Sequence, residues 1–170
     1  LVSLVLSPEE GERVIDTCAC PGGKSFGAAI LSRDKAEILS FDLHESKLSL
    51  VNDSAKRLGL SSIRAEMHDA TSPKEDLIGS ADRVICDVPC SGLGVLSKKP
   101  DLRYKAEDSA APLAALGYDI LCASSAYLRS GGVLVFSTCT VRREENEDIA
   151  YADKTSGATL SEMLDKESAN

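Results

Sequence analysis

"ERVIDTCACPGGKSFGAAILSRDKAEILSFD", residues 12–42, decides how this chain folds. "ERVIDTC" (12–18) is a short β-branched run after Gly11 and predicts a strand. "PGGKSFGAAILS" (21–32) is a glycine-rich turn that leads into a helix. "AEILSFD" (36–42) is the next strand, and it ends on Asp42. Strand, tight turn, helix and strand in about thirty residues make one βαβ unit. Gly22 and Gly23 sit in the turn, where a missing Cβ lets backbone approach a ligand closely.

The same alternation continues downstream. "SKLSLVNDSAKRLGL" (46–60) carries Leu48, Val51, Ala55 and Leu58 at helical spacing, with Gly59 as a stop. "SSIRAEMHD" (61–69) and "ADRVICDV" (81–88) are the third and fourth strands. Leu113, Leu116, Ile120, Ser124 and Tyr127 mark one face of a long helix. "GGVLVFST" (131–138) is a fifth strand, opened by a Gly-Gly turn, and "REENEDIAYA" (143–152) is a helix with an acidic start. "LVSLVL" (1–6) is a helix or strand remnant. This order predicts a doubly wound, mainly parallel α/β sheet of Rossmann-like type with ligands at the strand C-termini, and a strand order of 3-2-1-4-5 would set the fourth strand beside the fifth. Residues 1–150 form the expected domain, and the polar stretch 151–170 is an expected frayed or truncated tail.

Composition narrows the class. The 170 residues are 43% apolar and 27% charged, which suits one soluble globular domain expected to be monomeric. No run is long enough to cross a bilayer, and no signal peptide precedes the first strand. Leu1 is not a natural start, which implies sequence upstream. The net charge of −8 argues against strong polyanion binding by this piece alone. One local basic cluster stands in "SKKPDLRYK", with Lys98, Lys99, Arg103 and Lys105. The six cysteines lack the paired C-x2-C spacing of a zinc site. They read as free thiols of a reducing, cytoplasmic compartment, with no metal.

The turn carries P-G-G-K-x-x-x-G, which is neither the dinucleotide fingerprint nor a Walker loop. A nucleoside without phosphates, such as S-adenosylmethionine, fits better. Asp42 suits a ribose diol, because a carboxylate accepts from two hydroxyls. Asp69, ending the third strand, suits an adenine amino group or a helix N-cap before Pro73. His68 is expected to face a neighbouring strand or solvent. Two cysteines stand in turn-like settings, Cys90 in "DVPCSGLG" (87–94) and Cys139 in "FSTCT" (136–140).

Four motifs in order, "DTCACPGGK", "FDLHESKL", "DVPCSGLG" and "FSTCTVRREENE", resemble the NOL1/NOP2/Sun family of RNA cytosine-5 methyltransferases. The likeness covers residues 8–150 and is nearest to the bacterial 16S ribosomal RNA branch. It implies an S-adenosylmethionine-dependent enzyme acting on RNA, with ribosomal RNA expected, a further N-terminal RNA-binding region and additional last strands. The cofactor loop maps onto Cys18, Ala19, Cys20, Pro21, Gly22, Gly23 and Lys24, with Cys20 where the family usually has alanine. The family's acids map onto Asp42, Asp69 and Asp87, its nucleophile onto Cys139, and the cysteine that assists product release onto Cys90. Lys24 is expected to orient Asp87. Lys98, Lys99, Arg103 and Lys105 gain a reading as phosphate contacts beside that of a plain loop. Two other readings stay open: an amino-methyltransferase of the same fold, and a non-catalytic RNA-binding assembly factor. Cys18, Cys20, Cys86 and Cys122 keep structural readings.

Overall fold

The structure is a computed structural model that describes residues 1–98 and 110–151. Helix α1 (Val2–Leu6) precedes strand β1 (Arg13–Asp16), α2 (Gly23–Leu31), β2 (Glu37–Asp42), α3 (Glu45–Leu58) and β3 (Ile63–Met67). Strand β4 (Ala81–Asp87), α4 (Ala110–Ser125), β5 (Leu128–Ser137) and α5 (Glu147–Ala150) follow. The five strands form one parallel sheet, as the alternation predicts, and its order is β3-β2-β1-β4-β5, which sets β4 beside β5.

The central strands are apolar on consecutive positions because helices cover both faces. Val14, Ile38 and Ile85 pack with Leu6, Ala28 and Ala29 of α1 and α2. Ile15, Leu39, Phe41 and Val84 pack with Tyr127, and Cys86 and Val88 pack with Ile120, Leu121 and Ile149. Helix α3 buries Val51 and Ala55 and ends on Gly59 at φ 71°. Leu58 of the same expected stripe stays 45% exposed. Charge pairs such as Arg83–Glu12 and Arg129–Asp82 hold the N-terminal ends of the sheet, away from the ligand edge.

Three local expectations are corrected. Gly131 and Gly132 do not open β5 but lie inside it, where the register with β4 shifts between Ala81 and Arg83. A Cβ at Gly132 would stand 3.0 Å from the Ala81 carbonyl, so this irregularity needs glycine. Tyr127 lies beyond the end of α4. The expected helix over 143–152 is broken at Asn146 (φ −135°, ψ −94°), leaving a 3-10 turn (Arg143–Glu145) and the short α5. Gly27, last glycine of the turn motif, faces α1, where Ser3 occupies the place of its missing Cβ.

Candidate active site

The C-terminal ends of β1 to β5 lie along one edge, and the turns that leave them build two adjoining regions. The first is a cleft whose empty volume, its open mouth included, is about 520 Å³. Thr17, Cys18, Asp42 and Asp69 come to it from the strand ends, and Leu116 and Ile120 of α4 form an apolar wall. Asp42 Oδ1 accepts the His44 N–H at 3.0 Å, which fixes its carboxyl at the mouth of β2. Asp69 is not a helix cap. Its Oδ1 accepts the backbone N–H of Thr71 (3.0 Å) and the Thr71 hydroxyl (2.7 Å), and these bonds lower its pKa. His68, beside it, bonds the Ser72 carbonyl and packs edge-on to Phe41, so it belongs to the scaffold.

The glycine turn is built for close approach. Gly22 caps α2 at φ 103°, and a Cβ there would run into the Phe26 ring. A Cβ on Gly23 would meet nothing within 4 Å, so this backbone faces open space. Two strand-end carboxyls that can accept from hydroxyls, an apolar wall and an open glycine turn are what a nucleoside with ribose hydroxyls needs. These residues therefore fit S-adenosylmethionine. Of the expected cofactor residues, Cys18, Asp42 and Asp69 line the cleft. Ala19 is buried, and Cys20 Sγ donates to the Lys47 carbonyl (3.4 Å). Lys24 turns away, toward β4.

The second region joins β4 to β5. Lys24 Nζ donates to Asp87 Oδ2 at 2.5 Å, and the Ser137 hydroxyl donates to Asp87 Oδ1 at 2.5 Å. Asp87 and Ser137 are register partners in the parallel pair, so sheet formation itself brings them together. Just beyond, Cys90 Sγ and Cys139 Sγ lie 3.0 Å apart, and the Cys139 N–H donates to Cys90 Sγ at 3.2 Å. Both thiols are free, as are the other four. Cys139 is exposed, whereas Cys90 is half-buried. Burial, and then the neighbouring Cys139 thiol, push the Cys90 thiol up to about 11.

Comparison with known proteins now bears on this geometry. A family model described as 16S rRNA methyltransferase RsmB/F matches residues 3–167. The chain belongs to this family. A protein of Bacillus subtilis named probable ribosomal RNA small subunit methyltransferase B is 43% identical over 154 residues, 89% of this chain and 34% of its own length. The ribosomal RNA small subunit methyltransferase B of Escherichia coli O6:H1 is 38% identical, covering 92% of this chain and 37% of the relative. The chain thus spans about a third of the length of these RsmB relatives. Among solved structures, NSun6 from Pyrococcus horikoshii, determined with SFG, superposes with TM-score 0.76 at 35% identity over 86% of this chain and 37% of that one. A methyltransferase homolog from the same organism gives 0.73 at 28% identity, over 88% and 47%.

For this RsmB/F member, the sequence missed three parts of the site. Ser137 carries no motif signal, and only the β4–β5 register exposes it. Leu116 and Ile120 read as a helix face without a stated ligand wall. Glu145 reads as one acid of a helix start, yet it is 1% exposed. Lys98 is exposed at the edge of the described residues, and Lys99, Arg103 and Lys105 lie outside them. Residues 152–170 of the expected tail also lie outside. Among the described residues no helix is long and apolar enough to cross a membrane.

Proposed function

We propose that residues 1–150 are the catalytic domain of an S-adenosylmethionine-dependent enzyme that methylates C5 of a cytosine in RNA, with ribosomal RNA as the substrate class. The observation that carries this reading is the pair of free thiols 3.0 Å apart beside Asp87 and adjoining the cleft. When bound, S-adenosylmethionine supplies an electrophilic methyl group. In this reading Asp42 holds the ribose hydroxyls, Asp69 the adenine side, and the turn from Cys18 through Ala19, Cys20, Pro21 and Gly22 to Gly23 shapes the approach.

The chain's own residues do the rest. Cytosine C5 is a weak nucleophile until a thiolate adds to C6, so covalent attack by Cys139 divides one hard step into easier ones. Asp87, fixed by Lys24 and Ser137, shares a proton with ring N3 in a hydrogen bond and so stabilises the charge that develops on the ring when the thiolate adds. After methylation the C5 proton leaves to a base or bound water, the C6–S bond breaks, and its electron pair returns to Cys139 sulfur. Cys90 keeps its proton at neutral pH and donates to that leaving sulfur. The target base must be unstacked or in a loop to reach these groups. Lys98, with Lys99, Arg103 and Lys105, is assigned to phosphate contact.

The full-length protein tests this. Cys139→Ala should abolish cytosine methylation while calorimetry finds cofactor affinity near wild type. Cys90→Ala should accumulate a covalent RNA–protein band on a denaturing gel. Methyl transfer that persists in Cys139→Ala rejects the nucleophile, and rapid turnover of Cys90→Ala without adduct removes Cys90 from the release step.

A further inference from the structure

The thiol pair is held by a lock that none of the assigned roles uses. The loops after β4 and β5 are 49 positions apart in sequence at Cys90 and Cys139, yet they meet at three further points. The Ser91 N–H donates to Glu145 Oε2 at 2.6 Å, and the hydroxyls of Ser91 and Thr140 bond at 2.8 Å. The Gly94 N–H donates to the Cys139 carbonyl at 3.0 Å. Ser91 follows Cys90 directly and Thr140 follows Cys139, so each bond restrains a thiol-bearing backbone.

Glu145 stands out among these groups. It is 1% exposed, and among the described residues its Oε1 has no hydrogen-bond partner. A buried carboxyl oxygen without a partner costs stability, so packing alone would favour an apolar side chain here. Glu145 closes the 3-10 turn that ends at Asn146, and from there its carboxylate accepts the Ser91 N–H. Such a local cost is expected where geometry serves a reaction.

We propose that Glu145 is a positioning residue: it grips the Ser91 backbone and thereby sets Cys90 against Cys139 for the release step. This rests on the covalent reading above. Glu145 lies outside the cleft that fits the cofactor, so it acts on thiol geometry and not on cofactor binding.

The test uses the full-length protein with Glu145→Leu and Glu145→Gln, the second keeping an acceptor for the Ser91 N–H. One readout needs no RNA. Diamide takes up two thiol hydrogens and joins Cys90 to Cys139, and the rate of that joining reports their alignment. Glu145→Leu should slow it about tenfold, with Glu145→Gln within about threefold of wild type. Methylation assays should then find kcat down about tenfold in Glu145→Leu, KM for S-adenosylmethionine within about twofold, and more trapped adduct. Should Glu145→Leu fail to fold, Glu145→Asp draws the carboxylate back from the Ser91 N–H and should slow the joining in the same direction. A folded Glu145→Leu that joins and turns over as wild type overturns the proposal, as does an unchanged joining rate in Glu145→Asp when Glu145→Leu does not fold. A slowed joining rate in a protein whose wild type does not methylate RNA supports the lock and rejects the function instead.

Discussion

Cys90 and Cys139 are the same residue type with different surroundings, and burial separates their chemistry. Cys139 is exposed, while burial and the Cys139 contact push the Cys90 thiol up to about 11. Thiolate is the form that reacts with alkylating agents. Iodoacetamide at about pH 8 should therefore label Cys139 at least about tenfold faster than Cys90, with Cys90 labelling rising only as pH nears 11. Mass spectrometry of the two peptides measures this, and equal labelling at about pH 8 would contradict the assigned acid role of Cys90. Cys18 and Cys86 should stay unlabelled in the folded chain, since burial raises both thiols. The motifs single out both candidate cysteines, but their difference came only from the fold. Cys90 meets Cys139 across 49 positions of chain, a neighbour that no spacing rule connects to it.

At the scale of elements, two turns carry the site and each depends on a glycine. Gly94 approaches the β5 loop so closely that an added methyl would lie 2.9 Å from the Cys139 carbonyl oxygen. Backbone cannot yield as a flexible side chain can. Gly94→Ala should lower turnover about tenfold while calorimetry finds cofactor affinity within about twofold. Gly22→Ala faces two costs, a left-handed backbone at φ 103° and the Phe26 ring. It should lose about 1–3 kcal/mol of stability in chemical denaturation and bind S-adenosylmethionine more weakly. An unaltered midpoint would mean that the turn relaxes freely. Local pattern located all five strands, since apolar runs between turn residues are short-range signals. It misplaced the start of β5, because the irregularity at Gly131–Gly132 answers to Ala81 on the neighbouring strand.

A carboxyl enclosed on the central strand should mark the stability curve of the whole molecule. Asp16, at the end of β1, is fully buried, and burial raises its pKa from 3.8 to about 6 despite the Ser25 hydroxyl at 2.6 Å. The folded state thus holds this proton more tightly than the unfolded chain does. Its contribution is favourable below about pH 4 and is lost as pH rises through about 6. A rise of that size corresponds to about 3 kcal/mol. Relative to Asp16→Asn, the wild type should lose about that much between about pH 4 and about pH 7, read by urea denaturation at each pH. Parallel curves for the two proteins would show that Asp16 titrates normally.

Sequence by itself determined the order of elements, the glycine turn, the strand-end acids Asp42, Asp69 and Asp87, and the family. Each of these is written in a short window whose periodicity or motif carries its own physics. The tertiary structure alone decided that Ser137 and Lys24 share Asp87, that Cys90 and Cys139 stand 3.0 Å apart, and that Glu145 turns inward to Ser91. Those contacts join positions 49 to 63 residues apart. They exist only once parallel register and helix packing have fixed which strand ends are neighbours, and that choice is global.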